Sequence, residues 1–266
     1  MENNSYIHPN ARIGANVEIG PFCYIAENVE IGDGCKIGPH VTIYDYVKMG
    51  SNCKVFPGAV IGAIPQDMKF HGEITYVEIG NNVTIRECAT INRGTEASGK
   101  GVTRVGDNTL VMSYVHIAHD CVVGNNCILV SFVGLAGETD VEDWAIIGGS
   151  SAVHQFSKIG QHAMLSGGSM VGKDVPPYAL AGKRPLSYVG VNVIGLRRRG
   201  FSSEQIERIR DIYRVIYDSD MNVSDACKKV EETFEQTPEK RAILDFIASS
   251  KRGIIKRNPN VIADED

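Results

Sequence analysis

Aliphatic residues recur at every sixth position along the first two thirds of the chain. The period holds at 25 positions in three uninterrupted stretches, residues 7–61, 79–91 and 105–171, and glycine follows at 12 of these positions. An amphipathic helix needs an apolar residue about every 3.6 positions, so a strict period of six excludes one. The period is typical of the hexapeptide repeats that build parallel β-helices.

A second column of small residues lies four positions after these aliphatic residues, and it contains five of the seven cysteines. Because side chains two positions apart on a strand share a face, both columns are predicted to point inward. The cysteines of this column are therefore predicted to fill the core rather than to bind metal or act as nucleophiles. Three hexads form one coil, so the chain should contain about eight coils stacked about 4.8 Å apart. The five cysteines of the small-residue column are Cys23, Cys35, Cys53, Cys121 and Cys127.

Two polar excursions interrupt the hexads, over residues 62–78 and 93–104. Loops that leave a rigid scaffold often carry function, and the alternative is that both are insertions tolerated at the surface. The hexads end near residue 177. The sequence therefore predicts a mostly β protein, with a parallel β-helix domain over residues 1–177 and a C-terminal α-helical domain over residues 178–266.

The helical character of the tail follows from its own spacing of apolar residues. Ser202 with Gln205 has the pattern of a capping box and predicts the start of one helix. Two further helices are predicted near residues 222–235 and 238–250.

Composition narrows the class of protein. The chain has 266 residues, of which 43% are apolar and 22% charged, and these values are ordinary for a soluble globular protein. No apolar stretch is long enough for a transmembrane helix, and the first residues do not form a basic and apolar secretory signal, so a cytoplasmic protein is expected. A net charge of −5 argues against general nucleic-acid binding.

The histidine pair His116 and His119 is the main candidate for chemistry. His116 precedes an inward-facing residue, so its side chain is predicted to point outward, and His119 falls at a corner with Asp120 beside it. Imidazole titrates near neutral pH and is the usual general base, and a neighbouring carboxylate can fix its tautomer. The alternative is a pair of solvated side chains at a corner.

The stacking of coils predicts the neighbours of this pair. Gly137 should lie one coil above His119, Gln155 one coil above Gly137, and Glu138 one coil above Asp120. A base next to a backbone N–H that no side chain shields is the starting arrangement of an oxyanion hole. The column therefore favours acyl transfer, or another reaction through a tetrahedral intermediate.

Several segments resemble those of the UDP-N-acetylglucosamine O-acyltransferases, the family that carries out the first step of lipid A biosynthesis in Gram-negative bacteria. The most specific segments are HIAHDC, HQF and DVPPY, and IPQDMKFHGE, INRGT and GVNVIGLRRRGFS accompany them. The resemblance covers nearly the whole chain. It implies a left-handed β-helix, a homotrimer with sites in clefts between subunits, and transfer of an (R)-3-hydroxyacyl group from acyl carrier protein to the 3-hydroxyl of the sugar.

The resemblance also implies roles for individual residues. His119 is the expected general base, Asp120 the group that orients it, and the N–H of Gly137 the oxyanion donor. Gly167 is the expected limit on acyl length, because a bulky side chain there would close the groove. The other matching positions are expected to bind the sugar, the phosphates, the nucleotide or the carrier: Gln66, Asp67, Lys69, Asn92, His116, Glu138, Gln155, Asn192, Arg198 and Arg199.

Three positions depart from the family's pattern. Asn92 and Glu138 stand where the best-known members have histidine, and Ile194 stands where they have glutamate. Asn92 can still donate and accept hydrogen bonds, so sugar binding can survive the change. Glu138 adds negative charge near the base and is expected to raise the pKa of His119.

A basic segment of the tail indicates the partner that delivers the acyl group. Arg197, Arg198 and Arg199 lie on an acidic chain, and an acidic carrier protein would be attracted to them; a solvated helix face is the alternative. No metal and no cofactor are expected beyond the phosphopantetheine of the carrier. Further basic residues extend the segment: Lys183, Arg184, Arg208, Arg210 and Arg214.

Three other functions are open at this point. A hexapeptide carbonic anhydrase would bind zinc through His116 and His119, with His154 or His162 as the third ligand. However, the glycine one coil above His119 offers no stacked ligand. The related N-acyltransferases carry a further domain before the solenoid, whereas the hexads here start at Ile7. A non-enzymatic solenoid needs flat faces without long excursions. The sequence fixes neither the acyl length, beyond a long chain, nor whether a 3-amino sugar is accepted.

Overall fold

The structure, a computed structural model, describes residues 4–257. Each hexad forms a short strand that contains its inward aliphatic residue, and a tight turn carries the chain to the next strand. The strands lie in three sheets, of nine, eight and ten strands, which form the three faces of a solenoid. Many turns place a non-glycine residue in the left-handed region of φ, where asparagine is the best tolerated.

The strands take the three sheets in rotation along the chain. The first sheet contains β1 (Tyr6–Ile7), β4 (Tyr24–Ile25), β7 (Thr42–Ile43), β10 (Val60–Ala63), β13 (Thr90–Asn92), β16 (His116–Ile117), β19 (Gly134–Leu135), β22 (Ala152–Val153) and β25 (Met170–Val171). The second contains β2 (Arg12–Ile13), β5 (Glu30–Ile31), β8 (Val47–Met49), β11 (Tyr76–Ile79), β14 (Val102–Val105), β17 (Val122–Val123), β20 (Asp140–Val141) and β23 (Lys158–Ile159). The third contains β3 (Glu18–Ile19), β6 (Lys36–Ile37), β9 (Lys54–Val55), β12 (Thr84–Ile85), β15 (Leu110–Val111), β18 (Ile128–Leu129), β21 (Ile146–Ile147), β24 (Met164–Leu165), β26 (Ala179–Gly182) and β27 (Ser187–Val191).

The register of the sheets confirms three hexads per coil. His116 pairs in parallel with Gly134, and Gly134 pairs with Ala152, so residues one coil apart are direct neighbours. Thr90 pairs with His116 across the second excursion. The middle of each excursion therefore loops out of the solenoid, while the ends of the first belong to β10 and β11 and the last residues of the second belong to β14. The same column faces inward throughout, because the hexad register resumes after each excursion.

The core of the solenoid consists of the two predicted inward columns. The aliphatic column is almost entirely buried from Ile25 onward, and the small column packs between its members. The five cysteines of that column are buried free thiols, as predicted. Burial of apolar surface at about 25 cal/mol per Å² is the main term that stabilises each coil on the next.

The tail packs on the end of the solenoid. β26 continues the third sheet in parallel with β24, and β27 pairs with β26 in antiparallel fashion. The helices are α1 (Val193–Arg198), α2 (Ser203–Asp218), α3 (Val223–Thr233) and α4 (Pro238–Ser249), and a 3-10 turn, Glu96–Ser98, lies in the second excursion. None of the helices within residues 4–257 is long and apolar enough to span a membrane.

Three features predicted for the tail are confirmed. Ser202 and Gln205 form a complete capping box at the start of α2, and α3 and α4 occupy the two predicted helical segments. The six-residue α1 was not predicted, because it is shorter than two turns and shows no helical period. The division at residue 177 stays a prediction, since β26 and β27 carry the third sheet beyond it.

Candidate active site

His119 and Asp120 form the turn between β16 and β17, at the corner between the first and second sheets. Asp120 adopts a left-handed φ of 59° in this turn, and its side chain contacts the imidazole of His119. Nδ1 of His119 lies 2.8 Å from Oδ2 of Asp120. The ionised carboxylate accepts this hydrogen bond, so the neutral imidazole carries its proton on Nδ1 and presents the lone pair of Nε2.

Gly137 lies directly above this pair. The N–H of Glu138 donates to the carbonyl of His119 over 3.0 Å, and the N–H of Phe156 donates to the carbonyl of Gly137 over 3.3 Å. The predicted column of His119, Gly137 and Gln155 is therefore present. A Cβ built on Gly137 would lie only 2.3 Å from Nε2 of His119, so any side chain at this position would displace the imidazole.

Three carboxylates surround the imidazole of His119. The hydrogen bond to Asp120 raises the pKa of His119, and the charges of Asp67 and Glu138 raise it further, whereas burial acts in the opposite direction. Oδ2 of Asp67 lies 3.7 Å from Nε2. The expected effect of Glu138 on His119 thus has the predicted sign. Burial raises the pKa of Glu138 itself, and the charge of Asp120 adds to that shift.

Asp120 is completely buried, and residues of the second excursion satisfy its carboxylate. The backbone N–H of Thr95 lies 3.0 Å from each carboxylate oxygen, and the Thr95 hydroxyl donates to Oδ2 over 2.8 Å. Burial opposes ionisation of Asp120, but the hydrogen bonds from His119, Ser98 and Thr95 outweigh it and lower the pKa. Sequence reasoning assigned no role to Thr95, although Thr95 lies in the segment INRGT and in the excursion that interrupts the hexads one coil before the histidines.

His116 lies on strand β16 of the first sheet, three residues before His119. Its Nδ1 lies 2.7 Å from the hydroxyl of Thr90 on the neighbouring strand β13. Burial lowers the pKa of His116, and the charge of His119 lowers it further. The two histidines are therefore biased toward opposite protonation states, and His116 stays neutral where His119 can take up a proton.

The first excursion starts beside Asn92, at the end of β13. The buried Asn92 amide donates to the carbonyl of Ile64 over 3.1 Å, and its Oδ1 has no hydrogen-bond partner within the described part of the chain. Asp67 accepts from the N–H of Lys69 over 3.0 Å, and the side chains of Gln66 and Lys69 are exposed. Asn92 thus holds the base of a loop that brings Asp67 to the histidine.

Asn192 and Arg199 lie elsewhere, at the corner between the second and third sheets. Asn192 caps α1 by accepting from the N–H of Gly195, and it donates to the carbonyl of His162 over 2.9 Å. The guanidinium of Arg199 lies 3.3 Å from Nδ1 of His162 and over the ring of Trp144. The neighbouring Arg198, the last residue of α1, is exposed. A single chain therefore does not bring these residues to His119.

Gly167 lies at the third corner, between β24 and β25. It is exposed, and a Cβ built on it would lie 3.2 Å from the carbonyl oxygen of Gly149 one coil below. The left-handed φ at this corner, 68°, belongs to Gly168 and not to Gly167. A need for positive φ therefore does not explain the glycine at position 167.

The zinc ligands considered above are also separated. His162 lies at the corner of the second and third sheets, and Nδ1 of His154 contacts the carbonyl of Gln155 over 2.9 Å. Within residues 4–257 no three side chains of histidine, cysteine, aspartate or glutamate are arranged to hold a metal ion.

Comparison with known families agrees with the repeat and with the tail. The family described as bacterial transferase hexapeptide (six repeats) matches residues 1–32, 10–45, 28–63 and 103–137. The family described as UDP N-acetylglucosamine O-acyltransferase, domain 2, matches residues 174–255. The solenoid, the histidine–aspartate pair beside Gly137 and these two matches together indicate a hexapeptide-repeat acyltransferase.

Individual relatives narrow this class. An acyl-[acyl-carrier-protein]–UDP-N-acetylglucosamine O-acyltransferase from Thiobacillus denitrificans is 48% identical over 250 residues, 94% of this chain and 96% of that protein. The one from Nautilia profundicola is 45% identical over 196 residues, which cover 74% of this chain and 75% of that protein. A UDP-N-acetylglucosamine acyltransferase from Bacteroides fragilis superposes with a TM-score of 0.93 at 51% identity, over 96% of this chain and all of that one.

The chain belongs to the family of UDP-N-acetylglucosamine O-acyltransferases. The predicted family, the predicted enzyme class and the predicted fold, a left-handed parallel β-helix with C-terminal α-helices, are confirmed. The roles of the individual site residues stay predictions.

Proposed function

We propose that the chain transfers an (R)-3-hydroxyacyl group from acyl carrier protein to the 3-hydroxyl of UDP-N-acetylglucosamine, the first step of lipid A biosynthesis. The observation that carries this proposal is the position of Gly137 directly above Nε2 of His119. That arrangement places a general base and a backbone N–H at one point, which is what attack by a hydroxyl on a thioester carbonyl requires.

The reaction follows from the tautomer of His119. Nε2 accepts the proton of the sugar hydroxyl while the hydroxyl oxygen attacks the thioester carbonyl, and the resulting imidazolium is stabilised by the buried carboxylate of Asp120. The N–H of Gly137 makes no hydrogen bond to another of the described residues and is free to stabilise the oxyanion. Collapse of the tetrahedral intermediate expels the phosphopantetheine thiolate, which takes the proton back from Nε2. No other cofactor enters this reaction.

The substrate has to be held by more than one chain, so we propose a homotrimer with the site in the cleft between subunits. The outward side chains of the third sheet support it, because from β15 onward they are apolar and in register: Leu110, Ile128, Ile146, Met164 and Leu180. In such an assembly the corner that carries Asn192 and Arg199 faces the corner that carries His119 of another copy. A shared cleft then joins the residues that one chain keeps apart.

The carrier protein would dock beside α1. Arg197 and Arg198 are exposed there. The sequence analysis included Arg210 and Arg214 in the basic segment. In the structure both pair with acidic residues of their own helix, so their charges are not available to a carrier. The basic surface that could attract an acidic carrier is therefore smaller than the sequence suggested. Both substrates are soluble, and we propose that the reaction takes place in the cytoplasm.

The test is an assay of the purified protein with a series of 3-hydroxyacyl carrier proteins and defined acceptors. We expect an ester at the sugar 3-hydroxyl with UDP-N-acetylglucosamine and no product with an acceptor whose 3-hydroxyl is already acylated. The 3-amino acceptor shows in addition whether an amine can replace the hydroxyl. Transfer to the amine of an N-deacetylated, 3-acylated acceptor, without transfer to the hydroxyl, would contradict the proposal.

A further inference from the structure

The second excursion closes around Asp120 from several directions. Thr95 binds the carboxylate through both its N–H and its hydroxyl, as described above, and it is itself buried. The N–H of Asp120 donates to the hydroxyl of Thr103 over 2.8 Å, and Nζ of Lys100 donates to its carbonyl over 3.2 Å. Apart from the bond to His119, these polar groups of Asp120 are therefore held by residues 95–103.

The backbone before Thr95 is shaped to pass close to the carboxylate. A Cβ on Gly94 would lie 2.6 Å from Oδ1 of Asp120 and 2.2 Å from the backbone nitrogen of Val102. Glycine is needed there because any side chain would push the chain away and remove the hydrogen bonds that Thr95 donates to Asp120. The sequence Gly94-Thr95 is thus fitted to one particular carboxylate.

His119 has a second carboxylate that competes for its proton. Oδ2 of Asp120 accepts from Nδ1 at 2.8 Å, while Oδ2 of Asp67 lies 3.7 Å from Nε2 on the other side of the ring. If the proton moved to Nε2 and bonded to Asp67, the imidazole could no longer accept a proton from a hydroxyl. The carboxylate that is better fixed decides which tautomer dominates.

We infer that the second excursion holds the carboxylate of Asp120 in place and that Thr95 is a positioning residue for the reaction. The Thr95 hydroxyl and the His119 Nδ1–H donate to the same oxygen, Oδ2 of Asp120, both over 2.8 Å. Thr95 thereby prevents rotation of the carboxylate and keeps the proton of His119 on Nδ1. This inference rests on the proposed role of His119 as the base.

The test compares Thr95→Val, which keeps the shape and the N–H but removes the hydroxyl, with Thr95→Ser, which restores a hydroxyl. We expect Thr95→Val to lower kcat about 10-fold to 10²-fold with little change in the KM of either substrate, because small errors in placing a catalytic group have effects of this size. Thr95→Ser should recover most of kcat.

Nitrogen NMR of His119 in the free protein gives a readout that does not depend on activity. Above the pKa of His119 the wild type and Thr95→Ser should show the proton on Nδ1, whereas Thr95→Val should show a mixture with the Nε2–H tautomer. Thr109→Val is the matched control, because Thr109 is a buried threonine that bonds Gly124 and Cys127 at another corner. It should lower stability and leave both kcat and the tautomer unchanged.

Three results would overturn the inference that Thr95 positions the carboxylate of Asp120. These are a folded Thr95→Val protein with wild-type kcat, a Thr95→Val spectrum identical to that of the wild type, and a folded Thr95→Ser protein that fails to recover. Failure of the proposed base would look different, because His119→Ala would then keep its activity whatever the tautomer of the Thr95 variants.

Discussion

The second and third sheets of the solenoid bury the same kind of inward column, but their outward residues differ in polarity. Along the second sheet the outward residues of the first five strands alternate in charge and lie in register: Arg12, Glu30, Lys48, Glu78 and Arg104. Along the third sheet the outward residues are charged only up to β9, and from β15 they are apolar. The hexad constrains only the inward positions. The outward residues can therefore differ from face to face, according to whether water or another copy covers the face.

Energetics separate the two faces further. The ion pairs of the second sheet, such as Arg104 with Glu78 at 2.8 Å, are about half exposed and contribute about 0–1 kcal/mol each. The apolar residues of the third sheet gain about 25 cal/mol per Å² when another copy covers them. The second sheet is therefore suited to water, and the third sheet is suited to the interface that the shared cleft requires.

The largest effect is expected from a charge placed on the third sheet. Ile128→Glu should dissociate the assembly and abolish transfer, because an unpaired buried charge costs several kcal/mol. Val122→Glu is the matched control, since Val122 is an outward aliphatic residue on the second sheet in the preceding hexad. Sedimentation should show a trimer for Val122→Glu and monomers for Ile128→Glu; equal behaviour of the two variants would remove the distinction between the faces.

A mixing experiment sharpens the same comparison. If His119 of one copy works with Arg199 of another, His119→Ala and Arg199→Ala subunits should each be inactive alone. After denaturation and joint refolding, about a quarter of the sites should contain both native residues in a cyclic trimer. Activity that stays at the level of the separate variants would mean that one chain supplies the whole site.

The sequence predicts the solenoid and its stacking well because the repeat is strict: placing Gly137 above His119 needs only the count of residues per coil. It could not predict the bond between Thr95 and Asp120, because the second excursion leaves the period and its path depends on tertiary contacts. The separation of Asn192 from His119 was equally hidden, since resemblance assigns residues to a site without stating which chain contributes them.

The corner between the third and first sheets should control acyl length. Gly167→Met should shift preference from long to shorter 3-hydroxyacyl donors, by about 0.8 kcal/mol, or about fourfold, for each methylene that it excludes. Relative kcat/KM values for a series of donors measure this shift. An equal loss with every donor would show that Gly167 serves packing against Gly149 and not the acyl chain.

The smallest effect concerns pH. The base works when neutral, so kcat/KM should rise with pH through the pKa of His119, which its carboxylates raise. Glu138→Gln removes one of these charges and should move the acidic limb of the profile to lower pH by about one unit or less. An acidic limb that moves to higher pH, or not at all, would show that the charge of Glu138 does not act on the base.

The most direct test of the account is the rate of acyl transfer by His119→Ala. With Gly137 and the fold intact, loss of the positioned base should lower kcat by about 10²–10⁴-fold while circular dichroism and sedimentation stay those of the wild type. A folded His119→Ala protein that transfers the acyl group at close to the wild-type rate would contradict the assignment of His119 as the general base.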